Sequence, residues 1–162
     1  MTKQITILGV GNILMQDEGF GVRVVEELQR RYSFPENVQL LDGGTLGMAL
    51  LNYLTGTEKL ILIDAVSGGL PPGSFYEFKD EAVKAYFKDK VSMHELGIQD
   101  VLAAMDIMDQ PVKEIIILGA QPAMIDIGLE LTPVLSSVVD QAVNRAVDIL
   151  KSWQVELTKS KE

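Results

Sequence analysis

The chain reads as an α/β protein: a three-layer sandwich, with a mostly parallel sheet of about five strands, one of them antiparallel, and helices on both faces. Short apolar runs alternate with stretches whose apolar residues recur at helical spacing. The run KLILIDAV (59–66) is apolar on both faces, as a central strand covered from both sides must be. A third observation is the opening run, which ends in glycines directly before a helical stripe.

QITILGVG (4–11) is the first strand. Phe20, Val24, Val25, Leu28 and Tyr32, with Glu and Arg between them, give the first helix. Phe34-Pro35-Glu36-Asn37 ends it, since proline cannot continue a helix and restricts the residue before it. VQLLD (38–42) is the second strand, and Gly43-Gly44-Thr45 opens a short helix through Met48, Leu51 and Leu54. After the third strand (59–66), the loop from Ser67 to Gly73 is too short for a parallel crossover, so SFYEFK (74–79) is expected to run antiparallel. A polar stretch through Lys90 has room for a short helix. Ser92-x-x-Glu95 then reads as a capping box opening a helix with Leu96, Val101, Leu102 and Met105. EIIILGAQP (114–122) is the fifth strand. Thr132-Pro133 supplies an N-cap and an N1 proline to a last helix striped by Leu135, Val138, Val139, Ala142, Val143, Ala146, Ile149 and Leu150. One domain over 1–155 is expected, with a polar tail, 156–162, that frays.

The 162 residues carry 14 Lys+Arg against 23 Asp+Glu, a formal charge of −9. Such a balance disfavours nucleic acid and anionic membrane as partners, because Lys and Arg contacts to phosphate supply most non-specific affinity. With no cysteine, disulfides, thiolate nucleophiles and Cys-ligated metal sites are excluded. No signal-peptide h-region opens the sequence and no apolar run approaches bilayer length, so a cytoplasmic location is expected.

The stretch ILGVGNILMQDEGFG (7–21) begins like a dinucleotide fingerprint at Gly9-x-Gly11. The third glycine position holds Leu14, and Asp17 and Glu18 follow, where a phosphate would need bare N–H groups. In open α/β sheets ligands collect outside the carboxyl ends of the strands. There this sequence places Asp17 and Glu18 after strand one, Asp42 ending strand two and Asp64 ending strand three, with the single histidine, His94, in the first turn of a later helix. Asp17 is expected to cap the first helix, and Glu18 would also suit its first turn. Asp42 could equally shape the turn before Gly43-Gly44. Asp64 closes the run Leu60-Ile61-Leu62-Ile63, where a carboxylate is costly to desolvate unless paired, hydrogen-bonded or metal-bound. Glu18, Asp64 and His94 together form an oxygen, oxygen, nitrogen set able to hold a divalent transition metal. No H-E-x-x-H, G-x-S-x-G or Cys/His couple is present.

GVGNILMQDEGFGVRVVEEL, LLDGGTLGMALL, LILIDAV, PPGSFYEF and SMHELGIQDVL, in this order, resemble the nickel–iron hydrogenase maturation endopeptidases over nearly the whole chain. The resemblance implies a protease that removes the C-terminal extension of a hydrogenase large-subunit precursor, after a basic residue or histidine, once nickel is inserted. It implies Glu18, Asp64 and His94 as the metal-binding trio and Asp42 as a residue of substrate recognition or processing. Nickel is expected to arrive with the precursor, and zinc or cadmium to be able to occupy the trio in vitro. Two other readings stay open at this stage: a nickel-handling assembly chaperone using the same trio, and a nucleotide-binding module using the opening loop.

Overall fold

Alternation along the first strand sets up the layers. In β1 (Ile5–Val10), Ile5 and Ile7 enter one apolar cluster while Leu8 and Val10 enter another on the opposite face. The same division runs through β4 (Lys59–Ala65), where Ile61, Ile63 and Ala65 share the first cluster and Leu60 and Leu62 the second. The computed structural model describes residues 4–44, 47–89, 93–109 and 111–160; the side chains of residues 44, 47–48, 87–89 and 93–99 lie outside that set. Thr45, Lys90 and Ser92, and with Ser92 the expected capping box, fall outside the described residues.

The main sheet has five strands in the order β3 (Val38–Gly44), β1, β4, β6 (Glu114–Ala120), β5 (Phe75–Lys79). All neighbours are parallel except β5 and β6, so the short loop 67–73 does lead into an antiparallel strand. Helices α1 (Phe20–Arg31) and α6 (Val139–Ser152) cover the first face, through Phe20, Val24, Leu28, Ala142, Val143 and Ala146. On the second face, Leu54 of α2 (Leu51–Leu54), Val83 and Tyr86 of α3 (Glu81–Asp89) and Val101 and Met105 of α4 (Met93–Ile107) meet Leu8, Leu60 and Leu62. The three-layer sandwich expected from the alternation of runs is the observed architecture. Among the described residues no helix is long and apolar enough to cross a membrane.

Three local expectations are corrected. The tail, expected to fray, is tied down over its described residues: β7 (Thr158–Lys159) pairs antiparallel with β2 (Tyr32–Ser33), and Ser160 N–H donates to the Arg31 carbonyl at 2.9 Å. The anchor lies upstream, where Val155 is buried and Leu157 packs on the core, so the polar residues beyond start from a fixed point. The last helix is interrupted. Thr132 and Pro133 open α5 (Pro133–Ser136) as expected, with Leu135 N–H donating to Thr132 Oγ1. At Ser137 the hydroxyl bonds the Val134 carbonyl and the chain tightens before α6 begins. The third correction concerns Asp17, described below.

Candidate active site

β1 and β4 lie side by side while the chain passes from β1 to β3 on one side and to β4 on the other. The crevice at their carboxyl ends is therefore the switch point at which open α/β sheets bind ligands. What enters it is decided by close packing of backbone on backbone. Gly11, at φ +126, lets the chain leave β1 and fold back, and a Cβ there would lie 1.9 Å from the Glu18 carbonyl oxygen. Gly21 brings the first turn of α1 onto the sheet, since its Cβ would lie 2.0 Å from the Ile63 carbonyl. Between these contacts a 3-10 turn, Gln16–Gly19, packs against β4 and carries Glu18, half-buried, at the end of β1.

Asp64 sits at the carboxyl end of β4, fully buried. By the alternation of β4 it shares the face of Leu60 and Leu62, beneath α3 and α4. Its Oδ1 accepts the Ala65 N–H at 2.8 Å and its Oδ2 the Tyr86 hydroxyl at 3.2 Å. Two of the polar contacts that a buried carboxylate requires thus come from its own strand and from α3. Opposite it on β6 stands Gly119, whose Cβ would press within 2.8 Å of the Asp64 carbonyl.

Glu18 and Asp64 are brought to the same end of adjacent strands. Asp42 is not placed with them in the same way. It is exposed on edge strand β3, two strands from Asp64. It follows Leu40 in the alternation, which sets it on the face covered by α1 and α6, opposite to Asp64. His94 is the second residue of α4, on the layer that covers Asp64, but its side chain lies outside the described residues. Among the described residues no group of three His, Cys, Asp or Glu side chains could hold a metal ion.

The loop that resembles a nucleotide fingerprint has no N–H groups to offer a phosphate between residues 14 and 18. Leu14 N–H donates to Asn12 Oδ1, Met15 N–H to the Asn12 carbonyl, Gln16 N–H to Gly128, Asp17 N–H to Met124 and Glu18 N–H to Met15. Anion sites at helix entries depend on unpaired donors. These five donors are therefore spent within the protein.

A family model described as HycI, hydrogenase maturation protease, matches residues 22–150. The chain belongs to this family. The hydrogenase 2 maturation protease of Escherichia coli K12 is 40% identical over 154 residues, 94% of this chain and 94% of that protein. HupD of Bradyrhizobium diazoefficiens, a hydrogenase expression/formation protein, is 40% identical over 158 residues, 96% of this chain and 82% of its own length. Among solved structures, the hydrogenase maturating endopeptidase HybD from E. coli superposes with a TM-score of 0.91 at 38% identity, covering 96% of this chain and 97% of that one. A hydrogenase maturation protease, a hydrolase acting on polypeptide, is what the motifs in the opening loop and around Asp42, Asp64 and His94 had indicated.

In this maturation protease Asp17 does not cap α1, contrary to the expectation from its place in the sequence. Gly19 occupies the N-cap with no side-chain bond, and Asp17 is fully buried. Its Oδ2 accepts the N–H groups of Ala123 at 2.8 Å and Met124 at 3.0 Å. Its Oδ1 accepts the Thr132 N–H at 2.8 Å, and the Thr132 hydroxyl lies within 3.1 Å of both oxygens. Asp17 therefore pins both ends of the loop between β6 and α5, directly beside Glu18. No spacing rule relates position 17 to 123 and 132; the only hint was an acidic pair where one carboxylate would have served.

Proposed function

We propose that this protease removes the C-terminal extension of a nickel–iron hydrogenase large-subunit precursor after nickel insertion. The observation that supports the reading is a fully buried, hydrogen-bonded Asp64 at the carboxyl end of β4, with the turn that carries Glu18 packed against that strand at the β1/β4 switch point, in a chain from this family. Nickel enters as part of the substrate. Glu18 and Asp64 offer oxygen donors and His94 a nitrogen donor, and a set without thiolate suits an open dock for a metal already held by other ligands. Docked there, the metal brings the scissile peptide to the carboxylates, and water is activated by Lewis-acid or general-base chemistry. Zinc or cadmium would occupy the same donors in the absence of precursor. Asp42, on the edge strand, is assigned to recognition of the precursor.

The test is mass spectrometry of nickel-loaded precursor incubated with the protein, beside a nickel-free control. Loss of one C-terminal peptide from the loaded precursor alone is the expected result, and Glu18→Gln, Asp64→Asn and His94→Ala are expected to abolish it while the variants stay folded. An uncut loaded precursor that still binds would leave a nickel-handling chaperone in place of a protease for that substrate.

A further inference from the structure

The loop that Asp17 pins carries large apolar side chains that the fold does not use. Ile127 is 86% exposed, Leu129 62%, Met124 53% and Ile125 47%, and Leu14 beside them is 58% exposed. Scattered apolar residues on a surface need no explanation, but four of them fall within residues 124–129 of one clamped loop, and the fifth, Leu14, is bonded to that loop through its carbonyl. The loop is held from several directions. Asp17 fixes its two ends, Met15 and Gly128 form a bridge in which Gln16 N–H donates to Gly128 and Gly128 N–H to Leu14, and the Arg23 guanidinium donates to the Leu129 carbonyl at 2.7 Å. A buried carboxylate and this set of backbone bonds thus hold apolar groups out in water. Pre-ordering of this kind lowers the entropic cost of binding and does nothing for the core.

We propose that residues 124–129, with Leu14, form the docking ledge for the large-subunit precursor, seating an apolar stretch of it that bears Lys or Arg. The proposal rests on the reading of the protein as a precursor-processing protease. Two observations choose the occupant. The ledge is bonded to residues 14–17, which lead directly into Glu18, so a chain lying on it is at the entrance to the carboxylate pair. Its apolar residues are interleaved with exposed Asp126 and Glu130 on a chain of formal charge −9, which complements cationic residues and repels acidic ones. Leu129, Glu130 and Leu131 continue the ledge into a cleft of about 730 Å³ against α1, whose lining arginines Arg23, Arg30 and Arg31 are each paired with a carboxylate, with room for a short extended segment.

The experiment measures binding and cutting separately. Nickel-loaded precursor is titrated against the wild type and against the double variant Ile127→Asp, Leu129→Asp, whose exposed side chains leave the core intact; an unchanged melting temperature checks this. Binding is expected to weaken about tenfold or more, with KM rising in parallel and kcat retained within about twofold, as for loss of an apolar anchor outside the reacting centre. Equal binding and equal KM for the two proteins would overturn the ledge while leaving the protease assignment in place. Precursor that binds, is released by the double variant and is never cut would leave the ledge standing and overturn the protease reading. Sedimentation that shows a wild-type dimer dissolved by the same substitutions, with precursor binding unaffected, would assign the patch to a second copy of this chain and overturn the proposal.

Discussion

The Tyr86 hydroxyl donates to Asp64 Oδ2 at 3.2 Å, joining α3 to the carboxyl end of β4 across the second core. Both residues are buried, and the Phe78 and Tyr86 rings meet with centroids 5.4 Å apart, so the phenol has little freedom to turn away. Tyr86→Phe keeps the ring and removes the donor. Stability should fall by about 1 kcal/mol. On the proposed role of Asp64, cleavage of precursor should fall further, roughly ten- to a hundredfold, because the group lost orients that carboxylate. Melting curves and a cleavage time course on the same preparation check it, and an unchanged cleavage rate would remove Tyr86 from the site.

Gly11 and Gly69 separate backbone strain from steric exclusion. Both have positive φ, but a Cβ at Gly11 meets the Glu18 carbonyl at 1.9 Å, whereas a Cβ at Gly69 meets nothing within 4 Å. Gly69→Ala should cost about 1 kcal/mol, the left-handed penalty alone. Gly11→Ala should cost upwards of about 3 kcal/mol and displace Glu18. Urea midpoints give the first comparison and precursor cleavage the second.

What could be read from sequence follows the range of the interactions. Alternation is a local property, so Ile5, Ile7, Leu8 and Val10, and the strand ending in Asp64, were legible from a few neighbours. The need of Asp64 for polar partners was legible for the same reason: an acid closing an apolar run must be hydrogen-bonded or paired wherever the chain goes, and it is buried with the Ala65 N–H and the Tyr86 hydroxyl on its oxygens. Asp17 was misread because a helix start offers a local role to any carboxylate, while its actual partners lie 106 to 115 residues away. The pairing of Thr158–Lys159 with Tyr32–Ser33 is of the same kind, set by where Val155 buries. Asp42, expected to end its strand, lies inside β3, which runs on through Gly43 and Gly44; which face it takes depends on register, and a single-residue slip reverses it.

Removal of the Asp17 carboxylate should be among the most damaging single changes outside the apolar core. Asp17→Ala orphans the N–H groups of Ala123, Met124 and Thr132 together, a loss of about 3 kcal/mol or more. Asp17→Asn keeps an oxygen but turns an NH2 toward one set of donors, so an intermediate loss is expected. Urea unfolding ranks the three proteins, and proteolysis between residues 124 and 131 should rise in the same order. Equal stability of wild type and Asp17→Ala would contradict the clamp.

The Glu77 carboxyl is held below its ordinary 4.5 by hydrogen bonds from Arg145, with burial opposing and Lys79 assisting. Arg145 Nη2 lies 2.8 Å from Glu77 Oε2, joining α6 to β5 on the first face. A depressed carboxylate contributes stability that is complete above the unfolded value and is lost as pH falls through the folded one. The stability difference between wild type and Glu77→Gln should therefore be level from about pH 6 to 8 and shrink below about pH 4.5. Partial exposure of both side chains limits it to about 1 kcal/mol. Denaturant titrations at several pH values test this, and a difference that grew toward acid would refute the assigned sign.

Asp42 and Asp64 should separate in kinetics as they do in space. Asp64 is fully buried on the α3/α4 face at the switch point, while Asp42 is exposed on the edge strand and faces the α1/α6 side. A carboxylate that acts in the transition state lowers kcat when neutralised; one that only holds substrate raises KM. Asp64→Asn should therefore abolish turnover, and should also cost stability because Ala65 N–H and the Tyr86 hydroxyl lose a charged acceptor. Asp42→Asn should leave stability within about 0.5 kcal/mol, as expected at an exposed position. Its effect should fall on KM for the precursor, with kcat close to wild type. A loss of kcat in Asp42→Asn at saturating precursor would place that carboxylate at the reacting peptide, and would require β3 to approach β4 in the complex across the intervening β1.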